Sequence, residues 1–487
     1  MKNISPKKGN EVMKEKILSA NPYMPLWEHV PDGEPRVFEY NGEKRVYVYG
    51  SHDTLKTAYC GRDQVVWSAP VDDLTSWTCH GVCYTATDGS VLYAPDVVQK
   101  GDTFYLYAAE GCGSRIMVAS SKNPAGPFEN PVETKLGFDP GVLVDDDGRV
   151  YAYWGFCGAF CAELEDDMAT IKEETFRANP IGHIPNPWQD KDDGAEDLRD
   201  AFFEASSPRK VMGKYVYIYS KRYITPVPEL GVFEPCNGFL SYKYSDSPLD
   251  GYKEGGDISF NGGEILSRPD GEGEMTYRWG NNHGSIIEIN GKWYVFYHRH
   301  TGTDEFSRQA MLEPVDVAMG KDGKIYIGDI TYINGEPVSS KPVEMTSQGA
   351  HINGLDAYKI ISAGYCCHLT PLKQAYIKPV YEQIDGISSP VVDIKNGTTV
   401  GFRYLQFGTI SPKTATITAS ATDKFTVNLR LDSYKGRVIA AFDITRDDTS
   451  FTAQLTTGVI GKHAVYFEFL SEDNESTAEF IDFTFDK

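Results

Sequence analysis

The chain has 487 residues, of which 41% are hydrophobic and 13% aromatic, and it carries a formal net charge of −22. That length allows two or three domains with sizeable cores. The negative field repels phosphate backbones and anionic lipid, which argues against nucleic-acid and membrane partners and leaves a neutral partner such as a polysaccharide open.

The first twenty residues are polar and hold none of the roughly 7–15-residue apolar runs of a secretory leader, so residues 1–20 read as an N-terminal tail. No stretch approaches the ~20 apolar residues of a membrane span. The nine cysteines are scattered. Cys79 and Cys83, and Cys157 and Cys161, share a C-x3-C spacing but lack the histidines that would complete a zinc site. A cytoplasmic protein with reduced thiols is the expectation.

From residue 21 a hairpin unit recurs. Val37-Phe38, the Asn41-Gly42 turn and Val46 to Gly50 are followed by Val65 to Ala69 and a polar stretch ending at Trp77. Ala94 to Val97, Phe104 to Tyr107 and Ile116 to Ala119 repeat the pattern. A third copy turns at Asp145-Asp146-Asp147-Gly148, where the acids read as solvated, and continues through Tyr151 to Trp154. A fourth spans 203–253, and a fifth opens with Ile286 to Ile289, Asn290-Gly291 and Trp293 to Tyr297. Five four-stranded units with paired turn signals predict an all-β chain whose residues 21–340 form a five-bladed β-propeller. Glu336 to Pro342 begins a linker to residue 355, although Val343 to Gly349 could still pack on the propeller. Residues 356–487 alternate short strands with Gly, Asn and Asp turns, the pattern of a β-sandwich.

Strands that start around a common axis point their first residues at one pocket. Asp32, Asp96, Asp139, Glu204 and His283 all hold that place. Two carboxyl groups with a third tuning them are what glycosidic-bond hydrolysis needs. An Asp before Gly or Pro is also an ordinary turn former, whereas Glu204, flanked by Phe202, Phe203 and Ala205, is costly to bury without a purpose. Asp96 either lines the pocket or caps a turn. Trp27, Trp67, Tyr93 and Phe156 are candidates for stacking on a sugar face, as substrate-binding or as core residues.

These motifs carry a resemblance. Asp32 to Phe38 with Val46 to Asp53, Tyr93 to Asp96 with Tyr105 to Tyr107, Phe138 to Gly148 with Tyr151 to Gly155, Phe203 to Ala205 with Tyr215 to Ser220, and Asn282 to Ser285 with Trp293 to His298 and Ser307 to Gln309 resemble the five blades of glycoside hydrolase family 43. The resemblance implies Asp32 as general base, Glu204 as general acid and Asp139 as the residue that orients the acid and holds its pKa up. The family usually reads Asp-Pro at the base, so Glu34, ahead of Pro35, stays as a rival and as a substrate-binding candidate. Arg308 matches a substrate-contacting arginine. His283 is either a core histidine or holds a structural Ca2+ near the axis through water; no cofactor is implied for the chemistry.

The implied function is exo-acting, inverting release of L-arabinofuranose or D-xylose from plant-derived oligosaccharides. An exo-β-1,3-galactosidase and a non-catalytic carbohydrate-binding propeller are the alternatives. Gly401 to Tyr404, Arg430 to Ser433 and Gly461 to Phe467 resemble a family 6 carbohydrate-binding module, without the tryptophan on which such modules often stack sugar.

Overall fold

A computed structural model describes residues 14–182, 201–228, 232, 236–267, 273–372 and 374–487. Among these residues the chain is all-β, with 3-10 turns at Glu173–Thr175 and Ala363–Tyr365 but no α-helix. The expected tail lies outside the described residues as far as residue 13. Beyond it the chain is packed: the Ile17 amide donates to the Ile360 carbonyl at 3.0 Å.

Five antiparallel sheets follow one another. The first holds β1 (Glu34–Tyr40), β2 (Glu43–Tyr49), β3 (Asp63–Pro70) and β4 (Thr78–Thr85). The second holds β5 (Tyr93–Lys100), β6 (Thr103–Glu110), β7 (Arg115–Ser121) and β8 (Glu129–Glu133). The third holds β9 (Gly141–Val144), β10 (Val150–Trp154), β11 (Phe160–Leu164) and β12 (Arg177–Ala178). The fourth holds β13 (Ala201–Val211), β14 (Lys214–Tyr223), β15 (Cys236–Ser245) and β16 (Lys253–Phe260). A small hairpin, β17 (Ile265–Ser267) and β18 (Gly273–Met275), precedes the fifth sheet. That sheet has β19 (Ser285–Ile289), β20 (Lys292–His300), β21 (Arg308–Met319), β22 (Ile325–Ile333) and a fifth strand, β23 (Glu336–Lys341). The Asn41-Gly42 turn between β1 and β2 has φ of 53° and 78°, the double left-handed geometry that matches strand twist in a two-residue hairpin.

The first strands of the sheets stand side by side. β1 neighbours β5, β5 neighbours β9, β9 neighbours β13, and β19 neighbours β1. Side chains, not ladder bonds, join them. Arg36 on β1 pairs with Asp96 on β5 at 2.6 Å and reaches the Val142 carbonyl on β9 at 3.0 Å. Ser207 on β13 donates to Ser285 on β19 at 2.7 Å, and Arg209 Nε donates to the Ile286 carbonyl at 3.1 Å. At Gly141 a Cβ would come within 2.1 Å of the Ser206 carbonyl oxygen, so the approach of β9 to β13 requires glycine. This side-by-side packing brings five strand starts to one place.

Beyond β23 the chain is not a loose connection. The Val343 amide donates to the Ile258 carbonyl at 2.8 Å, Met345 and Ser347 are fully buried, and Thr346 donates from its amide and hydroxyl to Glu313 at 2.6 and 2.7 Å. Residues 355–486 then form two six-stranded sheets. Phe402 and Phe467 of one meet Phe483 and Phe480 of the other at ring distances of 4.7 and 4.9 Å.

Candidate active site

Asp32 and Asp139 each occupy the left-handed backbone region just before a first strand, at φ of 59° and 50°. Aspartate tolerates that region better than most residues. Glu204 sits inside β13, where the register with β14 shifts on both sides of it and Ala205 takes φ of 70°. Such a bulge re-aims a side chain out of the ladder. All three carboxyl groups line one cavity of about 520 Å³, together with Tyr93, Phe156, His283 and Arg308.

Each acid is held differently. Ser51 donates its hydroxyl to Asp32 Oδ2 at 2.7 Å, and Arg308 Nη1 donates to Oδ1 at 3.1 Å. The Arg308 fork is itself gripped by Asp53, through Nε at 3.0 Å and Nη2 at 2.9 Å. The Asp32 amide donates to His298 Nδ1 at 3.2 Å, which leaves the proton of that ring on Nε2, donated to the Asn281 carbonyl at 2.8 Å. Burial, with Arg308 nearby, keeps His298 neutral by pushing its pKa well down. Asp139 accepts the Ala205 amide at 3.1 Å, a bond to the residue next to Glu204.

The electrostatics separate the groups. Burial, then the charges of Asp139 and Asp32, push the Glu204 carboxyl well above the ordinary range. Burial also raises Asp139, to about 7, against the pull of His283. A buried acid beside other acids keeps its proton near neutrality, which suits a proton donor.

His283 is surrounded by carboxylates: Asp139 at 3.6 Å, Glu34 at 3.8 Å and Asp32 at 4.0 Å. Burial alone would lower its pKa, but Glu34, Asp139 and Asp32 outweigh it and lift it to about 9. A protonated ring donates and offers no lone pair. Among the described residues no cluster of three or more His, Cys, Asp or Glu side chains is placed to hold an ion. His283 thus lacks, among the described residues, a direct ligand set for the expected Ca2+, which would have to be held through water.

Three expected site residues lie elsewhere. Glu34 does not line the cavity; it is buried against Arg209, at 2.5 Å, and Ser207, at 3.2 Å. Asp96 accepts from Arg36 and from the Val142 amide at 2.7 Å, so it joins strands. Trp67 is buried, with its indole N–H donated to Glu28 at 3.0 Å. Asp145, read as solvated, is buried and accepts the Tyr215 hydroxyl at 2.5 Å. By contrast Tyr93 and Phe156 form an aromatic wall with Phe138 and Phe203, at ring spacings of 5.3–5.7 Å.

Sequence reasoning missed Tyr59, Phe138, Phe203, Arg222, Trp279 and Glu305, which also line the cavity. Phe138 and Phe203 directly precede Asp139 and Glu204, so their position was a usable signal. Tyr59, Trp279 and Glu305 lie between strands, with no periodicity to expose them.

The Glu34–Arg209 pair gives a stability prediction. Burial would raise the Glu34 pKa, but Arg209 and His283 bring it down to about 2, from an ordinary 4.5. Its stabilisation is therefore present above pH 4.5 and fades as pH falls toward 2. Glu34→Gln leaves Arg209 uncompensated and is expected to cost about 3–5 kcal/mol. Urea unfolding at pH 7 measures it; an unchanged midpoint would show that the pair contributes nothing.

The sequence profile of Glycosyl hydrolases family 43 matches residues 37–325. The chain is 34% identical to a xylosidase/arabinosidase of Thermoclostridium stercorarium, over 94% of this chain and 98% of that one. It is 26% identical to an arabinoxylan arabinofuranohydrolase of Paenibacillus polymyxa, over 91% of this chain and 71% of the relative. Among solved structures it is similar to a family 43 arabinoxylan arabinofuranohydrolase of Bacillus subtilis in complex with cellotetraose. That likeness has 21% identity and a TM-score of 0.48, over 97% of this chain and 99% of that one.

Proposed function

The chain belongs to glycosyl hydrolase family 43 and is a glycosidase; we propose that it is exo-acting and inverting, and that it releases L-arabinofuranose or D-xylose from plant-derived oligosaccharides. The single observation that carries this reading is the meeting of Asp32, Asp139 and Glu204 in one cavity; burial and the two neighbouring acids push the Glu204 pKa up, as a proton donor needs. Inversion needs a base that takes a proton from water and an acid that protonates the leaving oxygen from the other side, roughly 6.5–9.5 Å away. Asp32, fixed by Ser51 and Arg308, is the base. Glu204 is the acid. Asp139, bonded to the Ala205 amide, orients Glu204 and adds to its pKa.

The cavity draws residues from all five sheets or the turns that lead into them, including Asp32, Tyr93, Asp139, Glu204 and His283. A cavity fed by all five sheets, at the place where their first strands meet, supports exo action at a chain end. Pocket contacts and not the acids choose the sugar, so the sugar rests on the xylosidase/arabinosidase likeness over most of the chain. For the architecture, the cyclic order of first strands supports a five-bladed β-propeller over residues 21–340, joined by 341–355 to a β-sandwich over 356–487. Thiols such as Cys60, Cys83, Cys366 and Cys367, outside any disulfide, support a reducing, cytoplasmic setting.

The test is proton NMR of the sugar at the moment of release, with nitrophenyl arabinofuranoside, xyloside and galactoside as substrates. Inverted anomeric configuration on the first two is expected. Retention would require a nucleophile that these roles do not include, and preference for the galactoside would overturn the substrate assignment.

A further inference from the structure

The cavity's Asp32–Arg308 side rests on the C-terminal unit. Arg308 begins β21, and the loop before it, 301–307, carries Glu305 into the cavity. The loop closes on itself through the Thr301 amide and the Ser307 carbonyl, at 3.1 Å. Its ends are tied to residues beyond 355. The Gly302 amide donates to the Ile377 carbonyl at 2.9 Å, and a Cβ at Gly302 would lie 3.1 Å from Pro379. Arg299, fully buried just before the loop, donates to the carbonyls of Cys366, at 2.6 Å, and Gly364.

Tyr381 connects the two halves of this side. Its hydroxyl is hydrogen-bonded to that of buried Ser307, the residue before Arg308. Its ring stacks on His29 at 4.7 Å and 28°. His29 lies in the segment that leads into Asp32, and its carbonyl accepts the amide of Asp53, the partner of Arg308, at 2.9 Å. Burial lowers the His29 pKa to about 4, so the face that Tyr381 covers is neutral. Lys56 caps the outer face of Tyr381, 3.7 Å from its centroid. One side chain of the C-terminal unit thus touches the chain segments of both Asp32 and Arg308.

We propose that Tyr381 is a positioning residue for the hydrolysis, and that the C-terminal unit is a working part of the active site through its grip on loop 301–307. This deepens the function proposed above and rests on it. Without the Tyr381 hydroxyl, the Ser307 side chain loses its partner on the C-terminal unit, and Glu305 and Arg308, which flank it and reach the cavity, gain freedom. Displacing Glu305 weakens substrate binding, and displacing Arg308 misplaces Asp32. Small misplacements of reacting groups are costly in rate.

The experiment is steady-state kinetics on the full chain, with nitrophenyl arabinofuranoside and xyloside, of Tyr381→Phe, Ser307→Ala, their double variant and Ser307→Thr. Tyr381→Phe keeps the ring stack on His29. It is expected to lower kcat roughly tenfold, equivalent to about 1.4 kcal/mol, and to raise KM severalfold. Ser307→Ala should match it, the double variant should be no worse than either single one, and Ser307→Thr should retain wild-type kinetics. Tyr404→Phe is the control: it removes a 2.8 Å bond between Tyr404 and Glu344, outside the cavity, and should leave kcat and KM unchanged. A wild-type KM with kcat reduced only in step with the unfolded fraction, or unchanged kinetics in Tyr381→Phe, would overturn the inference. An inactive wild-type chain on every glycoside would instead sink the proposed function, so the two failures are distinct.

Discussion

Glu204→Gln is expected to lower kcat/KM on oligosaccharides by about 10²–10⁴-fold, the usual range for a lost general acid, while the fold stays intact. Glutamine keeps the size and the buried position but has no acidic proton for the departing oxygen. A dinitrophenyl glycoside leaves without protonation, so the same variant should hydrolyse it at close to the wild-type rate. The pH profile gives a second readout. Burial and the charges of Asp139 and Asp32 raise the Glu204 pKa, so the active, protonated form persists upward in pH and activity falls once pH rises past it. That alkaline limb should be present for the wild type on oligosaccharides and absent on the dinitrophenyl substrate, which needs no acid. Near-wild-type turnover of oligosaccharides would remove Glu204 as the acid.

Asp32→Asn should cost a comparable factor, about 10²–10⁴, with the opposite dependence on leaving group. Asparagine accepts the Ser51 hydroxyl bond as aspartate does but cannot take a proton from water. Water activation is needed whatever departs, so the loss should be equal on oligosaccharides and on dinitrophenyl glycosides. Glu34→Gln is the partner experiment. Glu34 is buried against Arg209 and Ser207 and touches the cavity only through His283, so its folded fraction should keep turnover despite lower stability. Retained activity in Asp32→Asn, with loss in Glu34→Gln, would transfer the base to Glu34.

The same residue types produced both the successes and the errors of the sequence reading. Asp32, Asp139 and Glu204 stood out because each precedes or opens a hairpin of a repeated unit, a place they share with Asp96 and His283, and the family resemblance singled out the three; the structure brings them to one cavity. Asp96 sits at the equivalent place and fails as a pocket residue because Arg36, from the neighbouring first strand, claims its carboxylate. Trp67 and Phe156 were equally plausible stackers. Only tertiary packing separates them: Trp67 is closed in with its N–H on Glu28, while Phe156 stands 46% exposed at the cavity. Tyr59 and Glu305 were invisible because they come from segments between strands, brought together by a hydroxyl-to-carboxylate bond across 246 positions of chain. The five sheets were readable from turns and aromatic strands. The fifth strand of the last sheet was not, since Glu336–Lys341 is polar and Pro-containing and reads as a linker.

Asp32 and Asp139 come just before strands and Glu204 interrupts one, each in a separate sheet, whereas Tyr59, Phe156 and Glu305 stand on connecting segments. Two of these segments also hold the acids in place: 50–62 supplies Ser51 and Asp53 as well as Tyr59, and 301–307 leads directly into Arg308. Of the three, Phe156 stands on a segment with no part in holding Asp32 or Arg308, so substitution there is the change that can retune sugar selectivity with the least disturbance to proton transfer.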